Sequence, residues 1–93
     1  MEFDWDASKE IENIKKHKIT FFEAVESFSD PAGFQLTDEK HSKKEKRFYW
    51  VGKSASGKIL TTWFTLRKSI VRIIGSAEWR KLRRLYYERT KNE

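Results

Sequence analysis

The order of hydrophobic periodicities along these 93 residues predicts an α+β domain with two N-terminal helices, a four-stranded antiparallel meander and a C-terminal helix. Three observations carry that prediction. Thr20-Phe21-Phe22-Glu23 is a capping box and marks a helix start. Aromatic and β-branched segments then follow one another across Ser54-Ala55-Ser56-Gly57 and Leu66-Arg67-Lys68-Ser69, connections too short for a parallel crossover. Beyond residue 76 the apolar residues return to helical spacing, among a dense set of basic ones.

In chain order, Asp6 can cap a first helix over 7–17, with Ile11 and Ile14 as a narrow apolar stripe. Lys15, Lys16, His17 and Lys18 suit the negative end of its dipole. The second helix runs from Thr20 to about Phe28, with Phe21, Ala24, Val25 and Phe28 at helical spacing, and Asp30-Pro31 stops it. After Gly33 a short strand covers 34–37, and the polar segment 38–45, with no apolar residue to bury, reads as an exposed loop. Longer strands are expected at 46–53, 58–65 and 70–76. Ser76 can cap a last helix over 77–89, with Glu78 in its first turn and Trp79, Leu82, Leu85 and Tyr86 on one side. Residues 90–93 are expected to fray.

At this length the chain makes a single domain over residues 1–93, able to bury only about 60–65% of its unfolded surface. It contains no cysteine, which excludes disulfides and thiolate metal sites. The N-terminus carries acidic residues and no apolar run of signal length, and no stretch is long enough to span a bilayer, so the chain is read as cytoplasmic with no membrane contact. No pair of His or carboxylate residues has ligand spacing on one element, and neither a P-loop nor a glycine-rich nucleotide fingerprint is present, so neither metal nor cofactor is expected.

Charge divides the sequence. Residues 1–39 hold four Lys against ten Asp or Glu, net −6, whereas residues 40–93 hold sixteen Lys or Arg against four Glu, net +12. The basic half also carries Phe48, Tyr49, Trp50, Trp63, Phe64, Trp79, Tyr86 and Tyr87. Cations release counterions from phosphates and aromatic faces stack on bases, so RNA is the first partner to test. Alternation along the strands sends most of these rings into the core and leaves one or two for stacking.

An ordered set of residues also resembles the BrnT toxins. It runs through Phe3-Asp4-Trp5-Asp6, Lys9, Asn13, Lys16-His17, Ile19, Phe21, Glu23-Ala24, Phe28 and Asp30-Pro31. It continues through His41, Glu45, Arg47, Gly52, Gly57, Thr65, Arg67, Arg72-Ile73-Ile74 and Ser76-Ala77, nearly the whole chain. The resemblance implies a RelE-like fold, a toxin that cleaves mRNA and arrests translation, and neutralisation by a BrnA-like antitoxin with a ribbon-helix-helix DNA-binding domain. Operator DNA would then be met only through the antitoxin. Two positions depart from the family pattern. Ser76-Ala77-Glu78 stands where the family usually has Ser-Ala-Arg, reversing charge at a position the family associates with activity, and Arg84 stands where the last helix usually has Glu before its Tyr. Arg80, two residues beyond Glu78, is the candidate replacement cation.

Cleaving RNA through its own 2′-hydroxyl needs a proton acceptor, cations for the developing charge and a proton for the leaving 5′-oxygen. Arg67, expected in the turn after a central strand, and Arg72, on the next strand, can project together near the end of the sheet where the last helix begins, and there guanidinium can grip phosphate bidentately. His17 and His41 are the two imidazoles. His17 closes a helix, which capping explains, whereas His41, beside Lys40, Lys43 and Lys44, is placed to reach a phosphate. The catalytic candidates are therefore Arg67, Arg72, Arg80 and His41, and the RNA-binding candidates Lys9, Lys46, Arg47, Arg83, Arg84 and Tyr87. Two further function classes fit the same sequence: a weakened toxin that only binds its antitoxin, and a co-repressor that tunes the antitoxin's hold on DNA.

Overall fold

The computed structural model describes residues 1–91, which form three α-helices and one five-stranded sheet. The elements are β1 (Glu2–Trp5), α1 (Ala7–His17), α2 (Phe21–Ser27), β2 (Phe34–Thr37), β3 (Arg47–Lys53), β4 (Ile59–Arg67), β5 (Ile70–Ala77) and α3 (Arg80–Thr90). The sheet order is β1-β5-β4-β3-β2. Strands β2 to β5 are the expected antiparallel meander, but β1 adds a fifth strand parallel to β5, so the sheet is mixed. A four-residue strand was hidden because Glu2-Phe3-Asp4-Trp5 offers just two apolar side chains, although their alternation is that of a strand.

Register sorts the strand residues onto two faces. On one, Phe48, Phe64, Ile73 and Trp5 lie in one row across four strands, flanked by Val71 and Phe3 and by Trp50 and Thr62. Helix α2 closes this face with Phe21 and Ala24, both fully buried, and with Phe28, which stacks on Trp50 at 5.2 Å and meets Phe64 edge-on at 5.4 Å. Rings therefore fill the core on this side. Thr20 forms both halves of the capping box with Glu23, as expected.

On the opposite face, Phe34, Val51 and Ile59 pack beneath Leu82, Leu85 and Tyr86 of α3. That helix covers only part of the face. Asp30 ties the layers together, accepting from the Tyr86 hydroxyl at 2.6 Å and from the Lys53 and Ala32 amides at 2.8 and 2.9 Å. Burial pushes the Asp30 carboxyl up, but these hydrogen bonds and the Lys53 charge outweigh it and hold the group below the ordinary aspartate range.

Helix α1, capped by Asp6 as expected, packs differently from its periodicity. Ile11 and Ile14 are exposed, while Asn13 is buried. Strand β1 ends opposite Ile73, which leaves the rest of β5 as a free edge. Asn13 completes that edge: its side-chain nitrogen donates to the carbonyls of Ser76 and Ile19 at 2.9 Å each, and its oxygen accepts from the Ser76 amide at 3.0 Å. An amide side chain here replaces a strand, so the helix is anchored by hydrogen bonds rather than by an apolar stripe.

The last helix also starts later than its sequence suggests. Ser76 and Ala77 belong to β5, Glu78 precedes the helix, and Trp79 occupies the N-cap with no side-chain hydrogen bond. Ser76 is buried with its hydroxyl 2.9 Å from that of Thr62, a cross-strand pair that wins over capping.

Candidate RNA-binding groove

Where α3 leaves the sheet, the floor is polar. Arg47, Thr65, Arg72 and Asp4 stand side by side in one cross-strand row on the α3 face of β3, β4, β5 and β1. Leu36, Tyr49 and Trp63 form the next row toward α3, and Arg67 lies one row out on the other side. Arg67 and Arg72 thus share a face, but at the end of the sheet remote from the start of α3 and not beside it as expected, because β5 begins there at Ile70 and reaches the helix only after Ala77. Arg67 is the last residue of β4 rather than part of a turn, and the reversal falls on Lys68 and Ser69, both with positive φ.

The segment after β2 forms a wall over this floor. Residues 38–45 were expected to be an exposed loop, but Asp38 is buried and the chain makes a single 3-10 turn at Glu39–His41. Asp38 is the organising group. One carboxylate oxygen accepts from the His41 amide at 3.3 Å, and the other lies 2.9 Å from His41 Nδ1 and 3.5 Å from Arg47 Nε. The Tyr49 hydroxyl donates to the same carboxylate. Burial pushes the Asp38 carboxyl up, but the hydrogen bonds from Tyr49 and His41 prevail and hold it low. Tyr49 is correspondingly pushed up, by its own burial first and then by Asp38.

An ionised Asp38 fixes the His41 tautomer. The carboxylate can only accept, so the ring proton sits on Nδ1 and the lone pair on Nε2, on a side chain that is half exposed. His41 lines an open cleft of about 520 Å³ with Lys40, Lys43, Lys44, Glu45, Arg47, Thr65 and Ile74. Ile74 also borders a second, smaller cleft, where Lys9, Lys16 and His17 of α1 stand with Glu12. His17 turns its ring edge to Trp63 at 6.0 Å.

Besides Arg47, two more arginines of this surface are already paired. Arg67 binds Glu45 bidentately, Nε to Oε2 at 3.1 Å and Nη2 to Oε1 at 3.2 Å, and Arg72 Nη1 lies 3.1 Å from Asp4 Oδ1. The Arg67 hydrogen bond holds the Glu45 carboxyl below its usual range. Other candidates lie elsewhere. Arg80 opens α3 beside a separate cleft next to Trp79, while Lys46, Arg83, Arg84 and Tyr87 are exposed outside the His41 cleft, Arg84 on the outer surface of α3. Asp38, Glu45 and Tyr49 were missed as site residues. The signal for Asp38 was its spacing three residues before His41, which becomes meaningful only once a tight turn is assumed.

Among the described residues, no three His, Cys, Asp or Glu side chains gather closely enough to hold a metal ion, and no helix is long and apolar enough to cross a membrane. A family model for the BrnT ribonuclease toxin of type II toxin-antitoxin systems matches residues 5–82. The chain belongs to the BrnT family. Among solved structures it is similar to the ribonuclease toxin BrnT of Brucella abortus, known at 1.1 Å resolution. The TM-score is 0.63 at 20% sequence identity, with 85% of this chain and 96% of that chain covered, which establishes a common fold. No curated protein sequence matches. BrnT membership implies an antitoxin partner, because the type II systems pair a protein toxin with a protein antitoxin.

Proposed function

We propose that this BrnT chain is an endoribonuclease that needs no metal, cuts mRNA by attack of the 2′-hydroxyl on the adjacent phosphate, and so arrests translation. The observation that carries the reading is His41, oriented through Nδ1 by a buried aspartate at 2.9 Å and presented beside Arg47, in a row that Thr65 and Arg72 continue, on an uncovered sheet face. His41 Nε2 accepts the 2′-hydroxyl proton as the 2′-oxygen bonds to phosphorus; the bond from phosphorus to the 5′-oxygen breaks, the 5′-oxygen takes its proton from water, and a 2′,3′-cyclic phosphate is left. Asp38 stabilises the imidazolium that forms, which is why an unpaired histidine would do less. Arg47 and Arg72 stabilise the charge that develops on the phosphorane oxygens, and Lys40, Lys43, Lys44 and Lys9 hold neighbouring phosphates. Arg67 joins them when RNA displaces Glu45.

The antitoxin is proposed to be BrnA-like, with a ribbon-helix-helix domain that alone contacts operator DNA. It is proposed to seal the groove, with electrostatic steering of acidic residues toward this surface speeding association. The cytoplasm, where mRNA is translated, is the compartment this activity requires.

Incubating purified, antitoxin-free protein with a long RNA tests the reading. His41→Ala should slow cleavage about 10²- to 10⁴-fold, the range for removing a general base, with RNA affinity nearly unchanged. Undiminished cleavage by the variant would rule out His41 as the base. A weakened toxin acting through antitoxin and operator is the second reading, favoured by the carboxylates that already occupy Arg67 and Arg72. Under it, wild type is nearly inert and Glu78→Arg raises cleavage.

A further inference from the structure

We propose that the cleft between β2, β3 and the start of α3 is a nucleobase subsite of the groove, and that Glu78 selects guanine there. The proposal rests on the ribonuclease reading and deepens it. The cleft is open, about 730 Å³, and is lined by Leu36, Thr37, Tyr49, Trp79 and Leu82, with the charged Glu78, Arg80 and Lys81 at the start of α3. Apolar walls with a few converging polar groups are the composition of a ligand site rather than of a charged protein exterior.

Its aromatic wall is built to stay in place. Trp79 stacks on Trp63 with centroids 5.1 Å apart and planes 16° apart, and Tyr49 braces it edge-on at 5.6 Å. Trp63 in turn lies flat on Gly75, where a Cβ would come within 2.1 Å of the indole. A ring serving only to fill a core would be buried, yet Trp79 is 37% exposed. It also sits at the N-cap of α3 without capping it, a position where Ser, Thr, Asp or Asn would stabilise the helix. The chain forgoes that stabilisation and leaves a partly exposed indole on the cleft wall, held by two aromatic neighbours, where a base can stack at little ordering cost.

Tyr49 joins this cleft to the catalytic one. Its ring braces Trp79 while its hydroxyl binds Asp38, the residue that orients His41. A base stacked on Trp79 therefore lies beside the ribose and phosphate that His41 and Arg47 handle. Glu78 repels phosphate, so it belongs to the base side of the strand. Its carboxylate has two acceptor oxygens, and guanine is the base whose Watson–Crick edge offers two adjacent N–H donors, N1 and N2.

Calorimetric titration of the purified full chain with the 3′-monophosphates of the four nucleosides tests this. Guanosine 3′-monophosphate should bind tightest. Trp79→Ala should weaken all four about 5- to 100-fold, the range for losing one stacked base, while Trp79→Phe retains most of the affinity and guards against a folding defect. Glu78→Gln should erase the guanine preference and leave the other three within about twofold. Equal binding of all four nucleotides to wild type, or unchanged binding to Trp79→Ala, overturns the proposal. So does an indole N–H signal of Trp79 that ignores nucleotide and moves only with an antitoxin peptide, which would make the cleft a protein-docking surface. Cleavage of a mixed-sequence RNA by the same proteins separates the two levels. Active wild type whose Trp79→Ala variant cuts the same positions at the same rate defeats the subsite alone, whereas an inert wild type defeats the nuclease reading and leaves the nucleotide titration to decide the subsite.

Discussion

The two faces of the sheet use the same residue types for opposite ends. Under α2, rings meet rings: Phe3 on Phe28 at 5.1 Å, Phe28 on Trp50 at 5.2 Å and Trp5 on Phe21 at 5.9 Å, closed over by fully buried Phe21 and Ala24. Under α3, closure stops part-way, and the next rows hold Tyr49 and Trp63, then Arg47, Thr65 and Arg72. One face is organised by desolvation and the other by pairing, since each cation there with a resolved ion pair takes its carboxylate from another element: Asp4 for Arg72, Asp38 for Arg47 and Glu45 for Arg67. A small domain can leave half a face open only because the other half and the opposite face carry its stability. The groove is thus a surface the core can spare, and changes on the two faces should separate stability from activity.

The largest effect is expected from emptying the closed face. Phe21→Ala removes a fully buried ring and should cost about 3–5 kcal/mol, a large share of the stability of so small a domain. Cleavage per folded molecule should be unchanged. A denaturant titration read beside a rate normalised to folded fraction checks both, and a catalytic loss exceeding the loss of folded protein would show that the faces are coupled.

A finer contrast comes from two glycines. At Gly52, on the closed face, a Cβ would stand 2.4 Å from the Ser27 carbonyl oxygen, and that backbone is already held by a hydrogen bond from Trp50 Nε1 at 2.8 Å. At Gly75 the obstruction is the side chain of Trp63. Gly52→Ala should therefore cost about 3 kcal/mol, and Gly75→Ala about 1–2 kcal/mol because an indole can tilt where a backbone cannot. Gly75→Ala should also disturb the Trp63–Trp79 stack, visible in near-ultraviolet circular dichroism. Equal destabilisation without a spectral change would mean Trp63 is as fixed as the core.

These faces were unequally legible in the sequence. The α2 side was read well, because a capping box and apolar residues at helical spacing are local signals and the short connections forced the meander. Of the arginines, Arg67 and Arg72 share a face through alternation and the β4–β5 register, whereas Arg80, Arg83 and Arg84 lie away from the His41 cleft. What escaped depended on contacts distant in sequence. Asn13 meets Ser76 across 63 positions, and nothing near Asn13 marks it as buried in place of Ile11 and Ile14. Strand β1 exists because β5 offers an edge, not because four residues have strong strand propensity. Ser76 had the chemistry of a cap and was claimed by the sheet. Asp38 sat in a stretch without apolar residues, where burial is unexpected until the hydrogen bonds from Tyr49 and His41, and the Arg47 charge at 3.5 Å, are seen around it.

Acid should act through the carboxylates that join the layers. Asp30 has its folded value depressed by hydrogen bonds that outweigh its burial, so its contribution is fully present above the ordinary aspartate value near 3.9 and is lost as pH falls through the lower folded value. Asp38 shifts in the same direction and adds to the slope. Stability measured from pH 7 downward should hold to about pH 5 and decline below it. Asp30→Asn should cost about 1–2 kcal/mol at neutral pH through poorer acceptance from Tyr86 and the Lys53 amide, and should decline less steeply in acid. Parallel acid curves for the two proteins would remove Asp30 as a source of the slope.

The smallest change in stability should come from Glu45→Gln. Its pair with Arg67 is exposed, so screening and side-chain entropy offset the attraction and the melting temperature should not move measurably. The groove, however, loses a negative charge and Arg67 gains freedom to meet a phosphate. RNA affinity at low salt should rise, and the plot of log affinity against log salt should steepen by about 0.7, the increment for one more neutralised phosphate on a single strand. A higher affinity with an unchanged slope would mean that Glu45 acts by repulsion alone and that Arg67 never reaches the strand. A steeper slope that Arg67→Ala abolishes in the Glu45→Gln background would place Arg67 on the RNA. Glu45 would then be the group that RNA must displace for the open face to take on the pairing the protein now supplies to itself.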